Sequence, residues 1–388
     1  MTGEPNQTVW SLISTAFLLL TIPGVALFYG GMVRKKNVLN TIGLPLSSLI
    51  LVSLLWLCWW DGLALGPEAG SRTSSAPADT LTLPVNAFAG ALALALVAGG
   101  IVERIRFSFF LLFGALWIAL VYGPIARWLW GGGWLINLGA LDFAGGAVIH
   151  ISAGVTALVA AILLGPRKGF GRVEMKPNHL PLSICGAALM WVGWCGFSAG
   201  RGLATMATAT SAFVAIQMAG AAAALAWTAV EWVQRDKPTV LGTVSGAVAG
   251  LVAIAPAAGY VGPLSAIVIG IGAGGFCYMV VNFVKPILGY DDSLDVFGMH
   301  AVGGTWGMVA TGLFASTAVN PDGSDGLFYG YPYQFFAQLA ATLAVWAFAG
   351  GMTAVLVTGL RLVMRPRVAE DAELMGLDLA QHGEKGYA

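Results

Sequence analysis

The sequence predicts an all-helical protein that crosses a membrane eleven times. Its 388 residues are 57% hydrophobic and only 10% charged, whereas soluble globular chains carry about 25% charged residues. Mean hydropathy is +0.80, and apolar runs long enough to cross about 30 Å of hydrocarbon recur along the chain. Helices are expected because backbone polar groups in lipid must be satisfied within the segment, and the runs lack the alternation of barrel strands.

The apolar runs give the bounds of the predicted spans. They lie at about 9–32, 38–64, 82–103, 107–129, 143–165, 179–200, 208–233, 239–256, 261–284, 299–317 and 332–362. Spans one to five and six to ten form two sets of odd number, so a duplicated chain would invert its topology between them. We therefore expect an inverted five-helix repeat followed by a final helix.

The basic residues predict the orientation. Lys and Arg concentrate in cytoplasmic segments of membrane proteins. With the N-terminus outside, all but three of the 19 Lys and Arg residues fall on the cytoplasmic side, the exceptions being Arg72, Arg127 and Arg201. We expect a multi-pass protein of the plasma membrane, with a membrane domain over residues 1–362 and a cytoplasmic tail over residues 363–388.

Composition and motifs argue against several other classes. The formal net charge is zero, so no bulk basic surface favours nucleic acid. The four cysteines lie in apolar runs and are interpreted as small buried hydrophobes rather than a disulfide framework: Cys58, Cys185, Cys195 and Cys277. No motif indicates a cofactor, and two histidines without further ligands would hold a metal poorly.

One motif is typical of an enzyme. Gly196-Phe197-Ser198-Ala199-Gly200 matches the G-x-S-x-G of serine hydrolases. That motif acts on a strand–turn–helix elbow, whereas here it closes a predicted membrane helix. We therefore expect the chain not to be an enzyme, with a membrane serine hydrolase as the remote alternative.

Two of the four histidines, His150 and His300, lie inside predicted spans five and ten. Ionisable residues within a membrane are costly, so each is a functional candidate, although a lone histidine can also have a structural role. Each lies in the last span of its set, and transporter sites lie at the interface of such repeats. We expect the two imidazoles to form a direct hydrogen bond and to stay neutral. The other two, His179 and His382, are expected to be solvated.

Carboxylates near the ends of the spans have structural interpretations. Asp142 precedes span five and is a plausible N-cap, favoured by the helix dipole. The acidic group before span ten would cap it likewise; its members are Asp291, Asp292 and Asp295. Glu103 and Arg104 are expected to form a charge pair at the membrane interface.

Several segments together carry a family resemblance. They are Pro23-Gly24, FYGGMVR at 28–34, ERI at 103–105, WLWGGGW at 128–134, DFAGG at 142–146 with His150, Trp194 with Gly196-Phe197, DDSLD at 291–295 with His300, and GLDLAQHGE at 376–384. Over nearly its whole length the chain resembles the ammonium transporters of the Amt/Mep/Rh superfamily, on the Amt branch.

The resemblance implies a homotrimer in the lipid bilayer with one pore per subunit. Ammonium would be recruited in an outer vestibule and deprotonated at the pore mouth, and neutral ammonia would pass the histidines, through which the proton follows. Trp130 would be the vestibule aromatic, Phe197 the inner ring of the gate, and Phe28 and Trp194 would line the path. The tail would contact a neighbouring subunit and, in many members, a cytoplasmic signalling protein of the PII type.

Two vestibule positions depart from the family pattern. Ala89, next to Phe88, stands where an outer gate phenylalanine is usual, and Arg201 stands where a serine donor is usual. A fixed cation beside a cation site is unfavourable. Arg201 either points into the vestibule and stacks on its aromatic rings, or turns to solvent or to a carboxylate and leaves the site intact.

These departures keep a second function open, namely an ammonium sensor on the same fold with weak or no conduction. Sensors of this kind usually carry a cytoplasmic signalling domain after the tail, and the sequence ends at Ala388. Ammonium transport is therefore the expectation, with the sensor as the alternative.

Overall fold

The computed structural model describes residues 5–55, 82–202 and 205–387. Within these ranges the chain is helical and forms no strand, and an isolated bridge joins Ile105 to Arg367. Eight of the described helices are long and apolar enough to cross a membrane, and two shorter apolar helices are Val85–Ile101 and Val240–Ile254. Part of the predicted span 38–64, the predicted outer loop with Arg72, and Cys58 lie outside the described residues.

Five long helices are described in the first half of the chain. They are α1 (Pro5–Met32), α2 (Val38–Leu55), α3 (Thr82–Ile101), α4 (Phe107–Trp117, a π-helical turn Ile118–Tyr122 and Gly123–Trp130) and α5 (a π-helical turn Gly146–Ile151 and Ser152–Leu164). A short helix, Trp134–Asn137, lies between α4 and α5.

The second half continues in the same manner. Its helices are α6 (Leu180–Arg201), α7 (Met206–Arg235), α8 (Val240–Ile254), α9 (Pro263–Met279, a π-helical turn Val280–Val284 and Lys285–Leu288), α10 (a π-helical turn Phe297–Ala301 and Val302–Phe314) and α11 (Pro332–Leu360). The tail adds α12 (Glu370–Met375) and a π-helical turn, Asp378–His382.

The last turn of α9 extends past the predicted end of span nine at residue 284. Lys285 does not end the helix because its ammonium group finds polar partners beside it: Nζ lies 2.5 Å from Asp295 Oδ1 and 2.7 Å from the carbonyl oxygen of Asp292. A long cationic side chain of this kind reaches a polar group while its stem lies along apolar surface.

Helices α1 and α6 are in backbone contact along most of their length. A Cβ on Gly186 would lie 2.3 Å from the backbone nitrogen of Phe28, and one on Gly193 would lie 2.6 Å from the carbonyl oxygen of Phe17. A further pair, α5 and α10, is as close, since a Cβ on Gly154 would lie 2.3 Å from the nitrogen of Ala301. Small residues permit such approaches between membrane helices.

The expectation for the cysteines is wrong at one position. Cys195 and Cys277 are buried, but Cys185 is exposed on α6. An apolar run in the sequence does not distinguish the side of a helix that faces the interior from the side that faces outward, which is why the burial of Cys185 was mispredicted.

A network of charges lies where α3 ends; we call it the charged end, comprising the buried Glu103, Arg167 and Asp291 and the partly buried Arg34. Glu103 accepts from Arg34 Nε at 3.0 Å and from Arg167 Nη1 at 2.7 Å. Arg167 also pairs with Asp291 at 2.7 Å. Burial acts to raise the pKa of Glu103, but the charges of Arg167 and Arg34 outweigh it and hold the pKa below its ordinary value.

The predicted interfacial pair of Glu103 with Arg104 is therefore wrong. Glu103 has φ +66°, in the left-handed region, and the sharp turn directs the two neighbouring side chains to different partners. Arg104 is fully buried and donates from Nη1 to Ser293 Oγ and from Nη2 to the carbonyl oxygen of Asp291, both at 2.6 Å. Its ion pair with the Asp291 carboxylate is longer, 3.8 Å.

The tail folds back onto the charged end. The Asp378 carboxylate accepts from the backbone nitrogens of Leu39 at 3.0 Å and Asn40 at 2.8 Å, and so caps the start of α2. His382 Nε2 lies 2.9 Å from Asn40 Nδ2, and its ring meets Phe107 edge-on at 5.2 Å. The expectation that His382 is solvated is wrong because the tail is docked, whereas His179 is exposed at the start of α6.

Candidate functional site

The two intramembrane histidines meet inside the bundle. Their Nδ1 atoms are 3.3 Å apart, the ring centroids are 5.3 Å apart and the planes are inclined by 23°. The exposed fractions are 0% for His150 and 4% for His300. The predicted hydrogen bond is therefore present. One ring donates and the other accepts, as two neutral imidazoles do.

Both histidines lie on π-helical turns at the beginning of their helices, Gly146–Ile151 for His150 and Phe297–Ala301 for His300. Such turns occur frequently at functional sites. The adjacent glycine of α10, Gly304, keeps the two helices close, since a Cβ there would lie 2.7 Å from the carbonyl oxygen of Gly146.

Asp142 holds the first turn of α5. Its Oδ1 accepts from the backbone nitrogens of Gly145 at 3.0 Å and Gly146 at 2.6 Å, and its Oδ2 accepts from Ala147 and Val148, both at 2.9 Å. Gly145 has φ +93°, which favours glycine and lets the chain wrap around the carboxylate. Asp142 therefore caps the first turn of α5 with its side chain, although the residue at the N-cap position itself is Gly145.

The three carboxylates before α10 have different partners. Only Asp292 caps the helix, since its Oδ2 accepts from the nitrogen of Phe297 at 2.7 Å. Asp291 instead pairs with Arg167 and Asp295 with Lys285, so the expectation that all three carboxylates cap α10 is wrong. The physical reason is that Arg167 and Lys285 lie beside two of these carboxylates, and a bond in which both partners are ionised is stronger than one to a neutral backbone nitrogen.

An aromatic ring covers one side of the histidine pair. Trp194 on α6 stacks on His150 with centroids 5.0 Å apart and planes inclined by 27°. His150 Nε2 is buried without a hydrogen-bond partner among the described residues. Towards the charged end, Phe28 lines a cavity of about 180 Å³ together with Met299, which immediately precedes His300. Trp194 thus contacts the pair directly, whereas Phe28 lines a cavity that reaches the residue next to His300.

A larger cavity, of about 420 Å³, opens at the opposite end of α6. We call it the aromatic mouth; four of the residues that line it are Trp130, Phe143, Arg201 and Tyr260. The guanidinium carbon of Arg201 lies 4.5 Å from the Trp130 ring centroid, and its Nε donates to the carbonyl oxygen of Phe143 at 3.0 Å. Arg201 therefore points into the cavity. The alternative, in which it turns to solvent or to a carboxylate, is wrong.

Three other residues were predicted to form the vestibule. Phe197, one turn before Arg201 on α6, and Ala89 are buried, and Phe88 is half-buried against the core. None of the three is among the residues found to line the mouth. Phe143 and Tyr260 do line it, with ring centroids 5.6 Å apart and edge-on, although sequence reasoning gave neither a role. Phe143 follows Asp142 in a family motif, a signal that could have identified it.

The hydrolase motif forms no catalytic elbow. Ser198 lies inside α6 and is fully buried, and the described residues around it form no strand. A G-x-S-x-G serine needs a strained turn that exposes its hydroxyl. The geometry required of a serine nucleophile is not present at this position.

Apolar helices around a buried imidazole pair, with a cavity towards each end, define an integral membrane protein with a polar centre. The family model for the Ammonium Transporter Family matches residues 9–387, and the chain belongs to that family. It is 45% identical over 402 aligned residues to the ammonium transporter of Bacillus subtilis (strain 168), covering 99% of each chain. The predicted family is confirmed, and the named relatives are transporters.

Solved structures share the fold. The crystal structure of Candida albicans Mep2 matches with a TM-score of 0.88 at 32% identity, covering 100% of this chain and 91% of Mep2. A sensor Amt protein matches with a TM-score of 0.88 at 24% identity, covering 97% of this chain and 98% of its own. At that identity the second match concerns the fold alone.

Proposed function

We propose that this chain moves ammonium and ammonia across the membrane through a hydrophobic pore that passes His150 and His300, with deprotonation at the pore mouth. The observation that carries the proposal is the hydrogen-bonded imidazole pair, buried between a cavity on one side and a cavity on the other. When His150 is the ring that donates from Nδ1, its unpartnered Nε2 can accept from a passing N–H group.

Burying a charge in an apolar path is costly. An ammonium ion in a narrow apolar path loses hydration worth many kcal/mol, whereas neutral ammonia does not. Loss of a proton at the mouth removes this cost, and a neutral imidazole can exchange a hydrogen bond with the ammonia that passes it. Sodium and potassium have no proton to lose, which accounts for selectivity against them.

The residues of the path take separate roles in this proposal. Trp130 is the aromatic ring of the mouth; such a ring face attracts a cation by about 0.5–2 kcal/mol, and in this chain the guanidinium of Arg201 lies over it. Phe197 forms the gate beneath it, with Phe88 and Ala89 on the outer side. Trp194 and Phe28 line the apolar path, and Asp142 acts structurally by holding the turn that carries His150.

The architecture proposed around this path has eleven spans, with an inverted repeat and a final helix. The close contacts of α1 with α6 and of α5 with α10 support it, because these are the first and the last helices of the two sets. We propose an outer N-terminus and a cytoplasmic tail in the plasma membrane, supported by the arginines at the charged end. A homotrimer and a PII-type partner for the tail rest on the family.

A sensor with weak or no conduction is the second candidate. Arg201 favours it, because its guanidinium lies on the ring that would otherwise attract ammonium. The shared fold of the sensor Amt protein is compatible with either function.

Ammonium flux into proteoliposomes tests whether the chain is a transporter or a sensor. Ammonium gradients should produce protein-dependent changes of internal pH or current in the wild type, and His150→Leu should abolish them. The matched control is His179→Asn, at an exposed position where asparagine keeps the helix cap. Absence of flux in the wild type, together with measurable ammonium binding, would favour the sensor instead.

A further inference from the structure

The aromatic mouth already contains a cation. The guanidinium of Arg201 lies over the Trp130 ring, 4.5 Å from its centroid, and its Nε is tied to the carbonyl oxygen of Phe143 at 3.0 Å. Guanidinium stacks well on aromatic faces and stays charged at any working pH. It therefore occupies the position at which a cation attracted by this ring would rest.

No carboxylate among the described residues forms an ion pair with Arg201. Asp142 contributes long-range attraction, but its two oxygens are engaged by four backbone nitrogens. Asp322 lines the same cavity and is exposed at its rim. Tyr122 and Tyr260 also face the guanidinium and carry no charge at neutral pH. The ring of Trp130 is thus covered by a positive charge that no described carboxylate contacts.

We propose that Arg201 determines which form of the substrate enters, and that it selects uncharged ammonia over ammonium. This inference rests on the proposed transport function. A like charge disfavours the charged form of a bound group, so the equilibrium at the mouth shifts towards ammonia. Ammonia has a lone pair that accepts a hydrogen bond from a guanidinium N–H, whereas ammonium has no acceptor and is only repelled.

The proton balance follows from this selection. An N–H bond of ammonium breaks outside the pore, the electron pair stays on nitrogen and the proton passes to the outer water. Ammonia crosses alone and takes up a proton on the other side. Transport by the wild type therefore moves little net charge, and its rate follows the concentration of ammonia rather than total ammonium.

The experiment measures two quantities on one proteoliposome preparation, internal alkalinisation by a pH dye and charge movement by solid-supported electrophysiology, after subtraction of protein-free vesicles. At fixed total ammonium between pH 6 and pH 8, wild-type alkalinisation should rise about tenfold per pH unit with the ammonia fraction, with little current. Arg201→Ser should show a current at least tenfold larger, a flatter pH dependence and a lower half-saturating ammonium concentration.

Two further variants separate charge from side-chain size and guard against misfolding. Arg201→Lys keeps the positive charge without the planar guanidinium and should behave like the wild type. Arg201→Gln removes the charge with little change in length and should behave like Arg201→Ser. Folding of each variant is checked by size-exclusion chromatography.

The possible results separate the two proposals. A wild-type current as large as that of the uncharged variants, with flux that follows ammonium, overturns the role of Arg201 and leaves transport intact. Absence of protein-dependent flux in the wild type and in both uncharged variants overturns the transport proposal, and this inference fails with it.

Discussion

The cations at the two ends of the bundle have different kinds of partner. At the charged end, Arg34 and Arg167 share Glu103, and Arg167 also holds Asp291, so each cation there has a carboxylate partner. At the aromatic mouth, Arg201 rests on a ring and a carbonyl oxygen instead. Buried charges are retained when they are paired. The paired cations join chain segments and stabilise the fold, whereas Arg201, which no carboxylate of the described residues pairs with, faces a cavity and in our proposal acts on what enters.

The largest loss of stability is expected at the charged end. Glu103→Gln leaves Arg34 and Arg167 without their shared carboxylate, and removal of one partner from a buried pair costs about 3–5 kcal/mol. Thermal unfolding of the detergent-solubilised protein measures this change. Glu174→Gln is the matched control, because Glu174 forms an exposed pair with Lys176, and surface changes usually fall within about 0.5 kcal/mol. Equal unfolding temperatures for the two variants would contradict the difference drawn between buried and exposed pairs.

The stabilisation by Glu103 should depend on pH in a defined direction. Burial acts to raise the pKa of Glu103, but Arg167 and Arg34 hold the pKa below its ordinary value. Stabilisation is therefore fully present above the ordinary carboxyl pKa and is lost as pH falls through the lowered value. The unfolding temperatures of wild type and Glu103→Gln should approach each other only in acid. A gap that stays constant down to strongly acidic pH would argue against the ion pair as its cause.

A smaller effect is expected where a carboxylate binds backbone alone. Asp142→Ala removes the acceptor for four nitrogens at the start of α5, and loss of an N-cap costs about 0.5–2 kcal/mol. Asp142→Asn keeps one acceptor oxygen and should lose less. The unfolding temperatures in detergent should decrease in the order wild type, Asp142→Asn, Asp142→Ala. A variant series in which Asn is as unstable as Ala would assign the effect to charge rather than to capping.

The smallest change in stability is expected at the mouth. Arg201→Ser removes a cation–π contact, worth about 0.5–2 kcal/mol, and one hydrogen bond to a carbonyl oxygen, but it also removes a cation that no described carboxylate pairs with, which offsets part of the loss. The same variant should raise ammonium-driven current at low ammonium concentration, because repulsion between two nearby cations costs roughly 1–4 kcal/mol. Recruitment would then improve about five- to several-hundred-fold. An unfolding shift as large as that of Glu103→Gln would place Arg201 among the structural cations.

The sequence predicted the helices and the histidine pair, but it did not predict the partners of the buried charges. Helices, the family and the meeting of His150 with His300 follow from apolar runs and from matched positions in two sets of spans. Partners of the buried charges did not follow, because adjacency in sequence suggested Glu103 with Arg104, whereas a left-handed residue separates them. Residues far apart in the chain decide such contacts, as Arg167 and Asp291 do.

Two further features could not be predicted from the sequence for similar reasons. The direction of Arg201 stayed open because a guanidinium is equally able to stack, to pair or to be solvated, and the choice depends on where Phe143 and Trp130 lie. The docking of the tail was missed because Asp378 and His382 find their partners on α2, in the first part of the chain. Composition indicated only that the tail is polar.

The neutral, hydrogen-bonded histidine pair is the central claim, and nitrogen-15 NMR of selectively labelled histidine tests it most directly. A contact between two Nδ1 atoms requires one ring to carry its proton on Nδ1 and the other to leave Nδ1 bare. The expected spectrum has two different neutral tautomers for His150 and His300 near neutral pH, each assigned by the loss of its signals in a His→Leu variant. Identical tautomers for both rings, or an imidazolium signal from either, would contradict the neutral, hydrogen-bonded histidine pair.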